Sequence, residues 1–126
     1  MCIRDRFSDF YKDMEYLHNF EIKKINPKEF DNLYRGKFNK ILLIDVREKE
    51  EFNKASIQGS ISIPLKNLEQ NSYLEFIRKE SLNKEVYTLC QLGKRSEKAS
   101  MILYKFKIPS KSIEGGIEKM NQIISK

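Results

Sequence analysis

The apolar positions of the chain follow two alternating patterns, and each pattern predicts one kind of element. Short runs rich in Ile, Leu and Val are typical of strands buried on both faces, and residues 41–44, closed by Asp45, form a continuous one. A run that alternates and then stops at Pro64 indicates an edge or half-buried strand. Strands are therefore predicted at residues 21–25, 41–44, 60–63 and 85–89.

Between these strands, apolar residues recur at the spacing of amphipathic helices. Asn26 is a good N-cap for the first helix because Pro27 follows it, and Gly36 is expected to end this helix. Helices are predicted at residues 27–35, 49–53, 68–79, 96–106 and 117–124. Their core-facing residues are predicted to include Phe30, Leu33, Tyr34, Leu74, Ile77, Ala99, Ile102, Leu103, Phe106, Ile117, Met120, Ile123 and Ile124. Alternation of strands with helices predicts an α/β fold with a mainly parallel sheet.

Residues 1–20 are predicted to be a separate N-terminal extension or linker, ahead of one domain over residues 21–126. The extension contains a predicted amphipathic helix, whose apolar face consists of Phe7, Phe10, Tyr11, Met14 and Leu17. We expect this face either to pack back on the domain or to belong to the end of an upstream domain.

The composition is that of one folded domain, because 40% of the 126 residues are hydrophobic and 11% are aromatic. No apolar run approaches the ~20 residues of a membrane span, so no membrane association is expected. Cys2 and Cys90 are the only cysteines and neither resembles half of a disulfide framework, which indicates a reducing, cytoplasmic setting. His18 is the only histidine, so no metal site is expected.

The charge balance is basic, with 24 Lys and Arg residues against 18 Asp and Glu residues and a net charge of +6. Charges of both signs are interspersed and no long block of cations occurs. We therefore interpret the surplus as a solvated surface rather than as a binding site for nucleic acid or an acidic membrane. An acidic protein partner is compatible with this surface.

The most informative stretch is residues 85–106, where a strand that ends at Cys90 is joined to a helix by a short turn. Ser96 is predicted to be the N-cap of this helix. The N–H groups at a helix start bind anions, and ligands of open α/β sheets bind beyond the carboxyl ends of the strands. Lys94 and Arg95 add positive charge in the turn. Cys90 is therefore predicted to be a nucleophile that ionises readily to the thiolate.

Four motifs resemble those of the rhodanese-type sulfurtransferases, in the family's order and at its spacing, over residues 22–121. The first is the loop from Cys90 to Ser96, in which four residues separate the cysteine from an arginine. The others are Leu-Ile-Asp-Val-Arg-Glu at 43–48 with Glu51 and Phe52, Ile-Gln-Gly-Ser-Ile-Ser-Ile-Pro at 57–64, and Glu-Gly-Gly-Ile at 114–117.

The resemblance implies a rhodanese-like, mainly parallel sheet of about five strands flanked by helices, with Ser112 and Ile113 in the last strand. It implies that Cys90 takes a sulfane sulfur from a donor, holds it as a persulfide and passes it to a nucleophilic or protein acceptor. Neither a metal nor an organic cofactor is required for this chemistry.

The loop is predicted to bind the substrate, and Gly93 is expected to supply a backbone angle that other residues resist. Arg95 is expected to be either the ligand of an anion or the partner of a carboxylate. Asp45 and Arg47 are predicted to brace the sheet edge near the loop. The predicted substrate-binding residues are Gln91, Leu92, Gly93, Lys94, Arg95 and Ser96.

Two alternative functions are considered. Cysteine-dependent phosphatases share the fold, but their loop has one more residue between cysteine and arginine, and a histidine commonly precedes the cysteine where this chain has Leu89. They also require a general acid, which is not evident here. The second alternative is a non-catalytic rhodanese-like module for protein binding, although such modules often lose the cysteine that this chain keeps.

Among subfamilies, the chain is most similar to the C-terminal rhodanese domain that follows the adenylating domain in molybdopterin-synthase and thiamine-type sulfur-carrier activating enzymes. The predicted apolar face at residues 7–17 would fit a linker from such a parent. The implied partners are a sulfur donor, either thiosulfate or a cysteine desulfurase persulfide, and an acidic sulfur-carrier protein. Gln91 and Leu92 are neutral where thiosulfate-using members often carry a cation, which disfavours thiosulfate as the physiological donor.

Overall fold

A computed structural model describes residues 22–124 of the chain. The predicted helix at residues 7–17 lies outside these residues, as do Cys2, His18 and Glu21. None of the helices within the described part of the chain has the length and apolar character that crossing a membrane requires.

The described residues form one five-stranded sheet in which all neighbouring strands run parallel. Its strands are β1 (Lys24–Ile25), β2 (Ile41–Asp45), β3 (Ile61–Ser62), β4 (Glu85–Leu89) and β5 (Lys111–Ile113). They are arranged in the order β1-β5-β4-β2-β3, so the alternating segment forms an edge strand as predicted. The predicted α/β fold is confirmed, and the carboxyl ends of all five strands lie at the same edge of the sheet.

Within residues 22–124, five α-helices connect the strands or follow them. They are α1 (Pro27–Lys37), α2 (Lys49–Lys54), α3 (Asn71–Glu80), α4 (Lys94–Lys105) and α5 (Gly116–Ile124). Asn26 caps α1 as predicted, because its side-chain oxygen accepts the N–H of Lys28 at 2.8 Å. Leu74 and Ile77 of α3 are buried, which confirms that this face points inward.

The helices cover both faces of the sheet, and this explains why its central strands are apolar throughout. In β2, Leu42 and Ile44 belong to a core that α3 and α4 complete. Ile41 and Leu43 point the other way, into a core that α1 and α5 complete. Both faces of β2 are therefore buried, so Asp45 at its carboxyl end belongs to a strand that is packed on both sides.

Two of the helix boundaries that differ from the prediction have a clear local cause. The third helix begins at Asn71 rather than at Leu68. Leu68 instead ends the preceding 3₁₀ turn, Leu65–Asn67, and its side chain is buried. The first helix continues through Gly36 to Lys37 and passes directly into a short 3₁₀ turn. No left-handed residue is needed to end it, so Gly36 keeps a negative φ.

Candidate active site

The loop between β4 and α4 places Cys90 at the carboxyl edge of the sheet. Leu89, the last residue of β4, pairs in register with Asp45 of β2, so the loop begins near the middle of that edge. Gly93 has a φ of +106°, a left-handed conformation that glycine adopts with little strain. A Cβ on Gly93 would lie 3.2 Å from the backbone nitrogen of Gly115, so the turn also packs closely against the start of α5.

The prediction that Ser96 is the N-cap of this helix is wrong. Gly93 is the N-cap, and α4 begins at Lys94, which makes Ser96 the third helical residue. The sharp turn requires a left-handed residue at the cap position, and glycine meets that need where serine would be strained. Ser96 instead bonds back to the cap, because its Oγ donates to the carbonyl oxygen of Gly93 at 2.9 Å.

Cys90 is buried, with 1% of its surface exposed, and its sulfur lies inside the first turn of α4. The Sγ atom accepts hydrogen bonds from the backbone N–H of Gly93 at 3.0 Å and of Ser96 at 3.3 Å. In a third contact, of 3.5 Å, the thiol donates to the Oγ of Ser96. Two N–H dipoles that point at one sulfur atom favour negative charge on it.

Further backbone donors surround the same turn. Within residues 22–124, the N–H groups of Leu92, Lys94 and Arg95 have no hydrogen-bond partner. Unsatisfied N–H groups at a helix start are the usual ligands of a bound anion. The loop therefore has the donors to hold an anionic atom attached to Cys90.

Arg95 is the partner of a carboxylate, which was one of its two predicted roles. Its NH1 and NH2 groups bind the two carboxylate oxygens of Glu51 on α2 at 2.7 and 3.0 Å. The hydrogen-bonded guanidinium lowers the pKa of Glu51 from 4.5 to about 2, and the same bond raises the pKa of Arg95. Sequence reasoning assigned no role to Glu51, because its partner is 44 residues away.

Asp45 and Arg47 form a second, buried ion pair at the end of β2. The Nε and NH2 groups of Arg47 bind the Asp45 carboxylate at 2.8 to 3.1 Å, and the Arg47 backbone N–H adds a bond of 3.0 Å. Arg47 also donates to the carbonyl of Ala55 at 2.7 Å and to the side-chain oxygen of Gln91 at 3.3 Å. The pair therefore helps to hold the loop in place through the bond from Arg47 to Gln91, the residue after Cys90.

The start of α5 supports the loop from the other side. The backbone N–H of Ile117 donates to the carbonyl of Cys90 at 2.8 Å, and that of Glu118 donates to the carbonyl of Gln91 at 3.3 Å. A Cβ on Gly116 would overlap both of these carbonyls. Sequence reasoning used this Gly-Gly pair only as a family signature, although two glycines before an amphipathic helix also signal a close backbone approach.

The loop side chains differ in what they contact. Gly93 and Ser96 contact the sulfur, whereas Arg95 is directed to its carboxylate partner. Leu92 and Lys94 are exposed, and 62% of the Leu92 surface is open to solvent. Only part of the predicted substrate-binding set therefore contacts the sulfur, and the side chains of Leu92 and Lys94 are exposed to solvent instead.

Comparison with known proteins places this arrangement in a family. A model of the rhodanese-like domain matches residues 26–122. The chain belongs to the rhodanese-like domain family. Among solved structures, the domain is similar to a rhodanese-related protein from Thermoplasma volcanium, with a TM-score of 0.66 and 27% identity, covering 80% of this chain and 92% of that one.

Relatives of this rhodanese-like domain include much longer proteins. It is 43% identical over 77 residues to a probable molybdopterin-synthase adenylyltransferase of Gracilaria tenuistipitata var. liui, covering 61% of this chain and 21% of that protein. It is 34% identical over 97 residues to the adenylyltransferase and sulfurtransferase UBA4 of Yarrowia lipolytica, covering 77% and 23%. The chain thus spans less than a quarter of the length of these relatives.

These matches confirm both the family resemblance and the resemblance to adenylyltransferase-type proteins. At the level of the family they support a sulfurtransferase-type function. Neither the phosphatase nor the non-catalytic module is favoured by them.

Proposed function

We propose that the domain is a sulfurtransferase in which Cys90 carries a sulfane sulfur, as a persulfide, between a donor and an acceptor. The observation that supports this most directly is the pair of backbone N–H groups on the Cys90 sulfur. These donors stabilise negative charge on sulfur without a metal and without a cationic side chain in contact.

The reaction is a double displacement that requires no oxidant. In the first step, the Cys90 thiolate attacks the outer sulfur of the donor and forms a new S–S bond. The donor's own S–S bond breaks, and its electron pair leaves with the donor as sulfite or a thiolate. In the second step, an acceptor nucleophile attacks the outer sulfur of the persulfide, and the S–S electron pair returns to Cys90.

The loop backbone is proposed to hold the intermediate. The outer sulfur of a persulfide carries the negative charge, and the free N–H groups of Leu92, Lys94 and Arg95 are its available donors. They would act on this sulfur as an oxyanion hole acts on a developing alkoxide. The exposed Lys94 side chain would attract an anionic donor, while the Arg95 guanidinium stays on Glu51.

The partners are proposed from the loop and from the names of the relatives. Gln91 and Leu92 give thiosulfate no charge beside Cys90, so we favour a cysteine desulfurase persulfide as the donor. The basic surplus of the chain fits an acidic sulfur-carrier protein as the acceptor. One relative, 38% identical over 63 residues, is a putative sulfur carrier protein of Bacillus subtilis. We place the domain at residues 21–126, in the cytoplasm, with residues 1–20 as an extension or linker.

Intact-mass measurement after incubation with a sulfane donor tests the proposal. The wild type and the matched control Cys2→Ser should each gain the mass of one sulfur atom, and Cys90→Ser should gain none. Thermal unfolding of the three proteins checks that each is folded. Added sulfur on Cys90→Ser, located by peptide mapping on Cys2, would overturn the assignment of Cys90.

A further inference from the structure

Two buried serine hydroxyls lie beneath Cys90. Ser96 on α4 and Ser112 on β5 are 0% and 1% exposed, and their Oγ atoms are 2.7 Å apart. Ser96 contacts the sulfur directly, whereas Ser112 reaches it only through Ser96. The resemblance to known sulfurtransferases gave Ser112 a place in the last strand and no role in the chemistry.

The direction of the bond between the two serines follows from their protons. A serine hydroxyl has one proton to donate. The Ser96 proton is engaged by the carbonyl oxygen of Gly93 at 2.9 Å. We therefore assign the donor of the 2.7 Å contact to Ser112, whose Oγ has no other partner within residues 22–124.

We propose that Ser112 is a positioning residue for Cys90, and that its hydroxyl favours the ionised sulfur by acting through Ser96. The consequence for catalysis rests on the proposed sulfurtransferase function, whereas the effect on the sulfur itself does not. Ser112 touches neither the sulfur nor a substrate in this arrangement, so its influence depends on the Ser96 hydroxyl.

Ser112 acts on both protonation states of the sulfur. In the neutral state, the Cys90 thiol donates to the Ser96 Oγ at 3.5 Å and shares that acceptor with Ser112. The competing bond weakens the only hydrogen bond that the thiol donates. In the ionised state, the Ser96 hydroxyl can turn from Gly93 toward the sulfur, and continued donation from Ser112 makes it a stronger donor. Both effects favour the thiolate.

The structure offers a matched control residue. Ser100 on α4 is also 1% exposed, and its Oγ is hydrogen-bonded to Thr88 and Ser110, each at 3.0 Å. Thr88 also donates to the backbone carbonyl of Ser96 at 2.9 Å, but none of these three hydroxyls contacts the Cys90 sulfur or the Ser96 Oγ. Ser100→Ala therefore removes an equally buried hydroxyl while leaving the hydroxyl contact between Ser112 and Ser96 in place.

The charged side chains near the loop are the same in every serine variant, so a difference between variants reports the hydroxyls. These side chains include Asp45, Arg47, Glu51, Lys94, Arg95, Glu97, Glu114 and Glu118.

The test is the rate of Cys90 alkylation by iodoacetamide across a range of pH, with Cys2 replaced by Ser in every protein. Ser112→Ala should displace the rate curve to higher pH and slow alkylation at neutral pH roughly 1.3- to 4.5-fold, as a change of about 10–30% in a charged hydrogen bond would give. Ser96→Ala should slow it at least as much. In the Ser96→Ala background, adding Ser112→Ala should have no further effect, and Ser100→Ala alone should leave the curve unchanged.

Three results would overturn the proposal: an unchanged curve in Ser112→Ala, an additive effect in the Ser96→Ala background, or an equal displacement in Ser100→Ala. Ser112→Thr keeps the hydroxyl and should give the wild-type curve. This variant therefore shows whether the effect of Ser112→Ala comes from loss of the hydroxyl donor or from a general disturbance of core packing. Alkylation uses no sulfur donor. Failure to find a persulfide in the mass measurement would therefore contradict the proposed function but would leave the effect of Ser112 on alkylation unchanged.

Discussion

Two ion pairs flank the Cys90 loop, and they differ chiefly in how much water reaches them. The side chains of Arg47 and Asp45 are 4% and 0% exposed, whereas those of Arg95 and Glu51 are 37% and 35% exposed. Both pairs join a guanidinium to two carboxylate oxygens at similar distances. The two pairs therefore differ in their environment rather than in the lengths of their hydrogen bonds.

This difference assigns separate roles to the two pairs. Removing one partner of a buried pair leaves an uncompensated charge in a poorly solvated site, so the buried pair fixes the position of the loop. An exposed pair is screened by water and contributes little to stability, so its main effect is on the local potential. Neither guanidinium contacts the Cys90 sulfur, which instead accepts only neutral N–H donors.

Loss of the buried pair should have the largest effect on stability. Arg47→Met leaves the Asp45 carboxylate without its cation and removes the bonds to Ala55 and Gln91. We expect the free energy of unfolding to fall by about 3–5 kcal/mol, measured by urea denaturation. Arg95→Met is the matched variant at the exposed pair and should lower it by about 1 kcal/mol or less. Equal losses in the two variants would contradict the contrast between the pairs.

Disrupting the close backbone approach at Gly116, at the start of α5, should have the next largest effect on stability. Gly116 has a φ of +62°, and a Cβ there would overlap the carbonyls of Cys90 and Gln91. Gly116→Ala is expected to cost about 2–3 kcal/mol of unfolding free energy and to slow sulfur loading, because the loop must move away.

Gly36→Ala is the control for this substitution. Gly36 lies within α1, and a Cβ there would meet no atom within 4 Å. The added methyl group should stabilise the protein by about 0.4–1 kcal/mol. A wild-type unfolding free energy in Gly116→Ala would show that the loop does not depend on this close approach.

The fold was predictable because its signals are local in the sequence. The apolar run of β2, the cap at Asn26 and the inward face of α3 each depend on residues a few positions apart, and the structure confirms all three. The N-cap at Ser96 was predicted wrongly because a local preference for serine was outweighed by the turn, which needs a left-handed residue at Gly93.

The contacts that build the site were not predictable in the same way. Arg95 meets Glu51 across 44 residues, and Ser112 meets Ser96 across 16 residues. No spacing rule links such pairs, because the order of strands in the sheet brings them together. The sequence therefore predicted Cys90, its loop and the support from Asp45 and Arg47, whereas the contacts of Glu51 and Ser112 emerged only from the topology.

Removing either partner of the exposed pair should change the alkylation rate of Cys90 by a small factor, with opposite signs for the two partners. Glu51→Gln removes the negative partner and leaves the Arg95 guanidinium unpaired near the loop. Alkylation of Cys90 should become roughly two- to threefold faster, whereas Arg95→Met should slow it by a similar factor. Both effects should shrink at high salt. Changes of the same sign in the two variants would show that the pair acts through loop structure rather than through charge.

The smallest effect is the pH dependence of the exposed pair. The hydrogen bond from Arg95 lowers the pKa of Glu51 from 4.5 to about 2. Because the folded-state pKa is the lower one, the stabilisation is complete above pH 4.5 and is lost as the pH falls toward 2.

Glu51→Gln lacks this contribution at every pH. The unfolding free energies of the wild type and Glu51→Gln should differ by a few tenths of a kcal/mol near neutrality, since the pair is about one-third exposed, and should converge in acid. A difference in unfolding free energy that grows as the pH falls would contradict the predicted pH dependence.

A single-turnover chase tests the central claim, that sulfur passes through Cys90 and leaves again. The protein is loaded with a sulfane donor, freed of the donor, and treated with cyanide as the acceptor. We predict one thiocyanate for each loaded Cys90 and return of the protein to its unmodified mass, with no thiocyanate from Cys90→Ser. Thiocyanate from Cys90→Ser in equal amount, or a Cys90 persulfide that survives the chase, would contradict it.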